Sequence, residues 1–202
     1  IPTLKDDIAS VYADKFMCLL YHDDIEEAFQ YAKLSNEMAL DYYFANLNEK
    51  SRNHLRDNII KTIGGDITLF KKNKNDIFSG INTAVAPLMN HLDNEEIAVI
   101  LIEAINNVAD LSYQLKIDDY ALFLYNMSYS ICGEMLKNKA KQEEWFVRES
   151  CKLLPVIGYL TFTTGSADDA YDLINENLLL IDKYSVVFKG ENVEQFVFDN
   201  SD

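Results

Sequence analysis

Acidic doublets are the groups in this sequence most able to act as a general acid and a general base. Each doublet is followed by an alanine and a large apolar or aromatic residue, a pattern typical of a solvated first helical turn. A catalytic carboxylate pair needs one buried member with a raised pKa, and a solvated helix start does not supply that environment. The doublets therefore predict helix starts, and they lie at Asp23-Asp24, Glu26-Glu27, Asp118-Asp119 and Asp168-Asp169.

Histidines and nucleophiles show no spacing that supports catalysis or metal binding. His22, His54 and His91 belong to no Glu-x-x-His or His-x-x-x-His pattern that would place two ligands on one helix face. The sequence lacks a Gly-x-Ser-x-Gly elbow and the glycine patterns of phosphate or dinucleotide sites. It predicts no catalytic residue, no metal site and no cofactor, and hence a protein that is not an enzyme. The enzymatic alternative is an unusual site around Pro155.

The three cysteines indicate the redox state of the compartment in which the protein is expected. Cys18, Cys132 and Cys151 lie in apolar stretches without CxxC spacing, and they predict free, buried thiols, which suit a reducing compartment. No leader sequence is visible near the start, so a cytoplasmic location is expected. The longest apolar stretch, 153–162, is far shorter than the about 20 residues that a membrane span needs, so no membrane association is predicted.

Composition narrows the classes of partner. Of the 202 residues, 49% are hydrophobic, and only three prolines and seven glycines interrupt the chain, which favours a few long helices around one core. The net charge of -15 repels polyanions, so we expect a basic peptide or protein partner and no nucleic acid. Because the chain opens on Ile1-Pro2 instead of methionine, a preceding module, such as a small DNA-binding one, would change that inference.

Apolar residues at three- and four-residue spacing predict an all-α fold of about eight antiparallel helices over residues 1–183. Residues 184–202 are rich in β-branched and aromatic residues around Gly190, which predicts either a β-hairpin or an extended tail in a groove of the helical body. The predicted helices are Leu4–Tyr21, Ile25 to a turn at Asn46–Asn48, Glu49–Ile63, Asp66–Phe70 and Asp76–Met89 (one broken helix or two), Asn94–Leu115, Asp118–Leu136, Lys139–Thr164, and a last helix after Ser166.

Several residues predict how these helices begin, end or bend. Asp24 and Glu27 have the spacing of a capping box, and Gly64-Gly65 favour a helix end. Pro155 is expected to kink or split its helix, because it removes a backbone donor. In the last helix the predicted buried stripe is Ala170, Tyr171, Ile174, Leu178 and Ile181.

One polar stripe is the predicted binding site. On the Asn94–Leu115 helix, polar residues share a face opposite Ile97, Leu101, Ala104, Val108 and Leu111. An asparagine amide both donates to and accepts from an extended peptide backbone, so the asparagines would clamp a peptide in a groove. The alternative interpretation is the wet face of an amphipathic helix. The candidate residues are Glu103, Asn106, Asn107, Asp110 and Tyr113.

Two segments resemble tetratricopeptide helix pairs, namely 104–113 with 117–125 and 157–165 with 167–171, where Ile157-Gly158 and Gly165-Ser166 stand at the Leu-Gly and Gly-Asp positions of that family. The alanines of the recurring doublet phrase, Ala28, Ala121 and Ala170, are 93 and 49 positions apart, close to two units and one unit of about 47 residues. The resemblance implies a solenoid-like helical bundle that binds a peptide or protein on a concave face. Peptide-sensing regulators of Gram-positive bacteria look similar in their helical ligand-binding halves.

These observations predict a non-enzymatic, cytoplasmic helical scaffold that binds a peptide or a protein. The alternative is an acidic helical immunity or antitoxin-type protein that neutralises a basic toxin through its outer surface. The sequence leaves the oligomeric state open.

Overall fold

The computed structural model describes residues 2–65, 74–185 and 187, with side chains from Leu4 onward. These residues form helices and no strand, so the predicted all-α fold is confirmed. The predicted segment 66–70 and most of the predicted hairpin lie outside the described residues. The helices are α1 (Pro2–Tyr21), α2 (Ile25–Asn46), α3 (Glu49–Gly64), α4 (Lys74–Met89), α5 (Glu95–Gln114), α6 (Asp118–Lys137), α7 (Glu143–Thr164) and α8 (Ala167–Lys183).

The chain divides into two compact units, residues 1–111 and residues 112–202. In the first unit, α2 packs against α1, α3 and α4. The three-residue connection from α1 to α2 makes these two helices an antiparallel pair. Small residues on α2, Ala28, Ala32 and Ala39, are buried at these contacts and leave room for neighbouring helices to approach closely.

Buried polar side chains connect the four helices α1 to α4. Ser35 on α2 donates to the backbone carbonyl of Ala9 on α1 at 2.7 Å. Asn36 donates through Nδ2 to the carbonyl of Ala84 on α4 at 2.9 Å, and its Oδ1 accepts from Nδ2 of Asn58 on α3 at 2.9 Å. Because Ser35 and Asn36 are fully buried, these bonds fix the register of the helices.

In the second unit, α7 packs against both α6 and α8. The hydroxyl of Tyr129 on α6 donates to the carboxylate of Glu176 on α8. The predicted stripe of α8 is confirmed for the buried Ala170 and the half-buried Ile181 but wrong for Tyr171, Ile174 and Leu178, which are exposed. Of α8, only Ala170 and Asn177 are fully buried, while Leu180 and Ile181 pack half-buried against Val147 and Cys151 of α7.

Helix ends confirm some predictions and correct others. Asn48 and Ser51 form a capping box at the start of α3, and Gly65 ends that helix with a φ of 41°. Ser166 caps α8 by accepting from the backbone N–H of Asp169, as predicted. The capping box at Asp24 is wrong, because its side chain makes no capping hydrogen bond.

The boundaries of α7 also differ from the prediction. The helix begins at Glu143, after Lys139 has taken a φ of 54° that no right-handed helix can include. It then continues through Pro155 without being split. Leu153, Leu154 and Ile157 are buried on both sides of Pro155, and this burial outweighs the one missing backbone hydrogen bond.

Candidate functional site

The five predicted site residues all lie on α5, which is buried over most of its circumference. Ile100, Ile102 and Ile105 are fully buried in addition to the predicted apolar face, whereas Leu111, predicted on that face, is 47% exposed. The polar residues therefore form a narrow strip and not half of an amphipathic helix. Within it, Asn107 and Asp110 are exposed, whereas Glu103, Asn106 and Tyr113 are partly buried.

Glu103 is held by an arginine of the same unit. Arg52 on α3 donates from Nη2 to Glu103 at 2.9 Å and from Nε to Glu96 at 2.8 Å, so one guanidinium bridges two carboxylates on α5. Partial burial alone would lower the pKa of Arg52, but the hydrogen bonds to Glu103 and Glu96 reverse this effect and raise it. The charge of Glu103 is thus already compensated.

The other members of the strip are engaged within their own helix or close to it. Asn107 donates from Nδ2 to the backbone carbonyl of Glu103 at 2.7 Å. The ammonium group of Lys116 lies 5.3 Å from the ring centroid of Tyr113, at cation–π distance. A peptide clamp at Asn107 would therefore have to replace a hydrogen bond that this amide already makes.

A second candidate, which we name the acidic cleft, lies in the first unit between α2 and α4. Its volume is about 770 Å³. One wall is the turn before α2 and the first turns of that helix, and the other is the start of α4. The described lining residues are Asp23, Asp24, Ile25, Glu26, Phe29, Gln30, Asp76, Ser79, Gly80 and Thr83.

The inner end of the acidic cleft depends on a close approach of the two helices. A Cβ built on Gly80 of α4 would lie 2.0 Å from Cδ2 of Phe29 on α2, so only glycine fits there without a shift. Phe29 in turn packs against Phe16 of α1, with ring centroids 5.4 Å apart. The contact with Phe16 thus helps to hold the ring of Phe29, which lines the cleft.

The electrostatic character of the cleft comes from two helix starts. Glu26 lies in the first turn of α2 and Asp76 in the first turn of α4, where carboxylates interact favourably with the helix dipoles. Asp23 and Asp24 add two further carboxylates. Among the described lining residues there is no lysine, arginine or histidine, so the described lining of the cleft is acidic.

Three buried ionisable side chains lie outside these two candidates in the described part of the chain. Burial raises the pKa of Tyr120, and it raises the pKa values of the Cys132 and Cys151 thiols to about 12, so all three stay protonated near neutrality. The prediction that all cysteines are buried is wrong for Cys18, which is exposed. Within the described ranges, no three His, Cys, Asp or Glu side chains are grouped as metal ligands.

None of the described helices combines the length and the apolar character that are needed to cross a membrane. No family model matches the chain, and neither a curated protein nor a solved structure matches it.

The acidic cleft was missed at the level of sequence, although a signal for it exists. Asp23-Asp24 and Asp76 start two helices that are separated by one intervening helix. In a series of antiparallel helices, alternate members run parallel, so their N-terminal ends meet at the same edge. Acidic residues at alternate helix starts would thus have indicated a shared negative surface.

Proposed function

We propose that this chain is a non-enzymatic helical protein that binds a basic peptide or protein segment, and that the acidic cleft receives part of this segment. The proposal depends on one observation, the cleft of about 770 Å³. Four carboxylates line it, and no described cation does. A lysine or arginine entering it would gain favourable Coulomb interactions with several carboxylates at once.

The remaining lining residues suit the other parts of a peptide. Gln30, Ser79 and Thr83 offer amide and hydroxyl groups that hydrogen-bond to a backbone or to a guanidinium. Ile25 offers apolar surface for the aliphatic stem of a lysine or arginine. The volume lies within the range of about 300–1,000 Å³ that is usual for binding pockets, enough for a few side chains.

The strip on α5 supports the proposal less strongly than the acidic cleft does. Arg52 already neutralises Glu103, and the amide of Asn107 already donates within its helix. Binding there would exchange existing interactions for new ones, whereas binding in the cleft adds interactions to the exposed carboxylates of Asp24, Glu26 and Asp76. Asn107 and Asp110 nevertheless remain the exposed members of the predicted site.

A charge-matched comparison tests this function. The double variant Asp24→Asn with Asp76→Asn removes two charges from the cleft, and Asp7→Asn with Asp172→Asn removes two from exposed sites elsewhere. The probe is a fluorescein-labelled lysine-rich peptide, and its anisotropy is measured at low salt. At about 1 kcal/mol for each charge pair, the cleft variant should bind roughly thirtyfold more weakly than the unmodified chain.

The control variant should lose at most a few-fold in affinity, because its carboxylates act only through the general field. Equal losses in the two variants would contradict binding in the cleft. They would instead favour the alternative function, an immunity-type protein that neutralises a basic toxin through its whole acidic surface. That alternative is supported by acidic doublets at the starts of helices in both units. Glu26-Glu27 and Asp168-Asp169 are exposed, and Asp119 is exposed next to the half-buried Asp118.

A further inference from the structure

The second unit carries an exposed apolar surface, which we name the outer flank. On α7, Pro155, Tyr159 and Phe162 follow one another at spacings of four and three residues, so they lie along one side of the helix. On α8, Tyr171, Ile174 and Leu178 follow the same rule. Phe162 and Leu178 are each 60% exposed, an unusual degree for large apolar side chains.

The two stripes adjoin each other. A Cβ built on Gly158 of α7 would lie 3.7 Å from Cγ1 of Ile174, which places the stripe of α8 next to the middle of the stripe of α7. Glu176, which bonds to Tyr129 of α6, lies on a different side of α8 from Ile174 and Leu178. The outer flank therefore faces away from α6 within this unit.

The described chain after α8 returns to the edge of this surface. Val187, together with Leu180, Ile181 and Tyr184, packs against Val147 and Cys151 of α7. The carbonyl of Val187 accepts a hydrogen bond from Nη2 of Arg148 at 2.8 Å. Arg148 precedes Pro155 by seven residues, so it lies on the same side of α7 as Tyr159 and Phe162.

We propose that residues 188–202 of the same chain dock along the outer flank and cover it. The described chain stops at the Arg148 end of the flank, and the part of α7 between Arg148 and Phe162 is only about 21 Å long. Residues 188–202, when extended, span up to about 50 Å, which is sufficient to follow the flank to its far end. Residues 188–202 are the nearest segment available, because the hydrogen bond between Val187 and Arg148 holds the chain that precedes them at the edge of the flank.

The composition of this segment fits the surface. Phe188, Val193, Phe196, Val197 and Phe198 supply apolar side chains, and in an extended segment Phe196 and Phe198 point to the same side. Two aromatic rings on one side match an apolar surface built from Tyr159, Phe162 and Leu178. Tethering keeps the local concentration of the segment high, so modest contacts are enough to hold it.

Photo-cross-linking on the full chain tests the proposal. Phe162 is replaced by p-benzoylphenylalanine, a photoreactive aromatic residue, and an equimolar mixture of ¹⁴N- and ¹⁵N-labelled chains is irradiated and digested. We expect cross-links from position 162 to residues 188–202, with both halves carrying the same isotope label. As a control in the same unit, the same photoreactive residue at Ser130, an exposed site on α6, should give no cross-link to 188–202, because the outer flank faces away from α6.

Two results would overturn the proposal. Cross-links between differently labelled halves would show that a second copy covers the outer flank. If position 162 gives no cross-link to 188–202 while the digest recovers that peptide, the segment does not lie on the flank. In the full chain, Phe196→Ser with Phe198→Ser should lower the specific cross-link yield at least fivefold, whereas the polar substitution Asn192→Ser should leave it within twofold.

Discussion

The two units of this protein bury their helices by different means. In the first unit, buried hydrogen bonds of Ser35 and Asn36 connect α1 to α4, and the guanidinium of Arg52 connects α3 to α5. In the second unit, α8 fully buries only Ala170 and Asn177 among its described residues and leaves an apolar flank exposed. Buried directional bonds thus connect the helices of the first unit, whereas the last helix of the second is held by half-buried apolar contacts with α7 and by the exposed hydrogen bond between Tyr129 and Glu176.

The largest expected difference between the two units is in thiol reactivity. At pH 8 a thiol with a pKa of about 12 is ionised to about one part in ten thousand, so Cys132 and Cys151 should resist thiol reagents. Cys18 of the first unit is exposed and should react promptly. A thiol assay on the folded chain should count one fast thiol, and denaturant should raise the count to three. Fast reaction of all three thiols would mean that the second unit opens readily.

Two buried asparagines, one in each unit, should differ most in their contribution to the free energy of unfolding. Asn36→Leu removes hydrogen bonds to α3 and α4 and leaves their partners unsatisfied, so it should cost about 3 kcal/mol of unfolding free energy. The Oδ1 atom of Asn177 is buried and accepts no hydrogen bond. Asn177→Leu should therefore be neutral or stabilising. Denaturant unfolding measures the stability of both variants, and equal losses would mean that the hydrogen bonds of Asn36 contribute no more than the buried amide of Asn177 does.

Two glycines provide the next comparison. Gly80→Ala should gain about 1 kcal/mol in helix propensity but force Phe29 aside, for a net loss of about 1–2 kcal/mol. Gly133→Ala on α6 meets nothing within 4 Å, so only the gain in propensity remains and the chain should be stabilised. Thermal melting of the two variants should therefore shift in opposite directions. A stabilised Gly80→Ala variant would refute the close approach at the acidic cleft.

The smallest expected effect concerns ion pairs. Arg52→Met keeps most of the buried stem but leaves Glu96 and Glu103 without their common cation, for a loss of about 0.5–1 kcal/mol after screening. Lys33→Met removes a pair with Glu37 that is exposed and 3.9 Å long, and should change stability by a few tenths of a kcal/mol at most. Urea titrations at low salt separate the two, and losses of equal size would mean that the bridge of Arg52 contributes nothing specific.

Local signals in the sequence predicted the helices well because helix ends depend on nearby residues. Gly65, Ser166 and the acidic doublets each act within one turn, and each lies at a helix end or in a first helical turn in the structure. The start of α7 was predicted too early because nothing at Lys139 announces a left-handed backbone conformation, which favours glycine or asparagine.

Burial was harder to predict than helix position because it depends on neighbours far away in the sequence. The periodicity of α8 is as regular as that of a buried helix, but no pattern within α8 says which flank α7 covers. Buried isoleucines lie on several sides of α5, and Glu103 of the strip is engaged by Arg52, 51 residues earlier, a contact that no local pattern predicts. The acidic cleft required pairing two distant helix starts.

Binding of a basic segment in the acidic cleft can be measured by titrating the ¹⁵N-labelled full chain with the lysine-rich peptide and following the amide chemical shifts. We expect the largest shifts in residues 23–30 and 76–83, the two walls of the cleft. Shifts centred on Asn107 and Asp110, or spread evenly over the helix starts at Asp118 and Asp168, would contradict it.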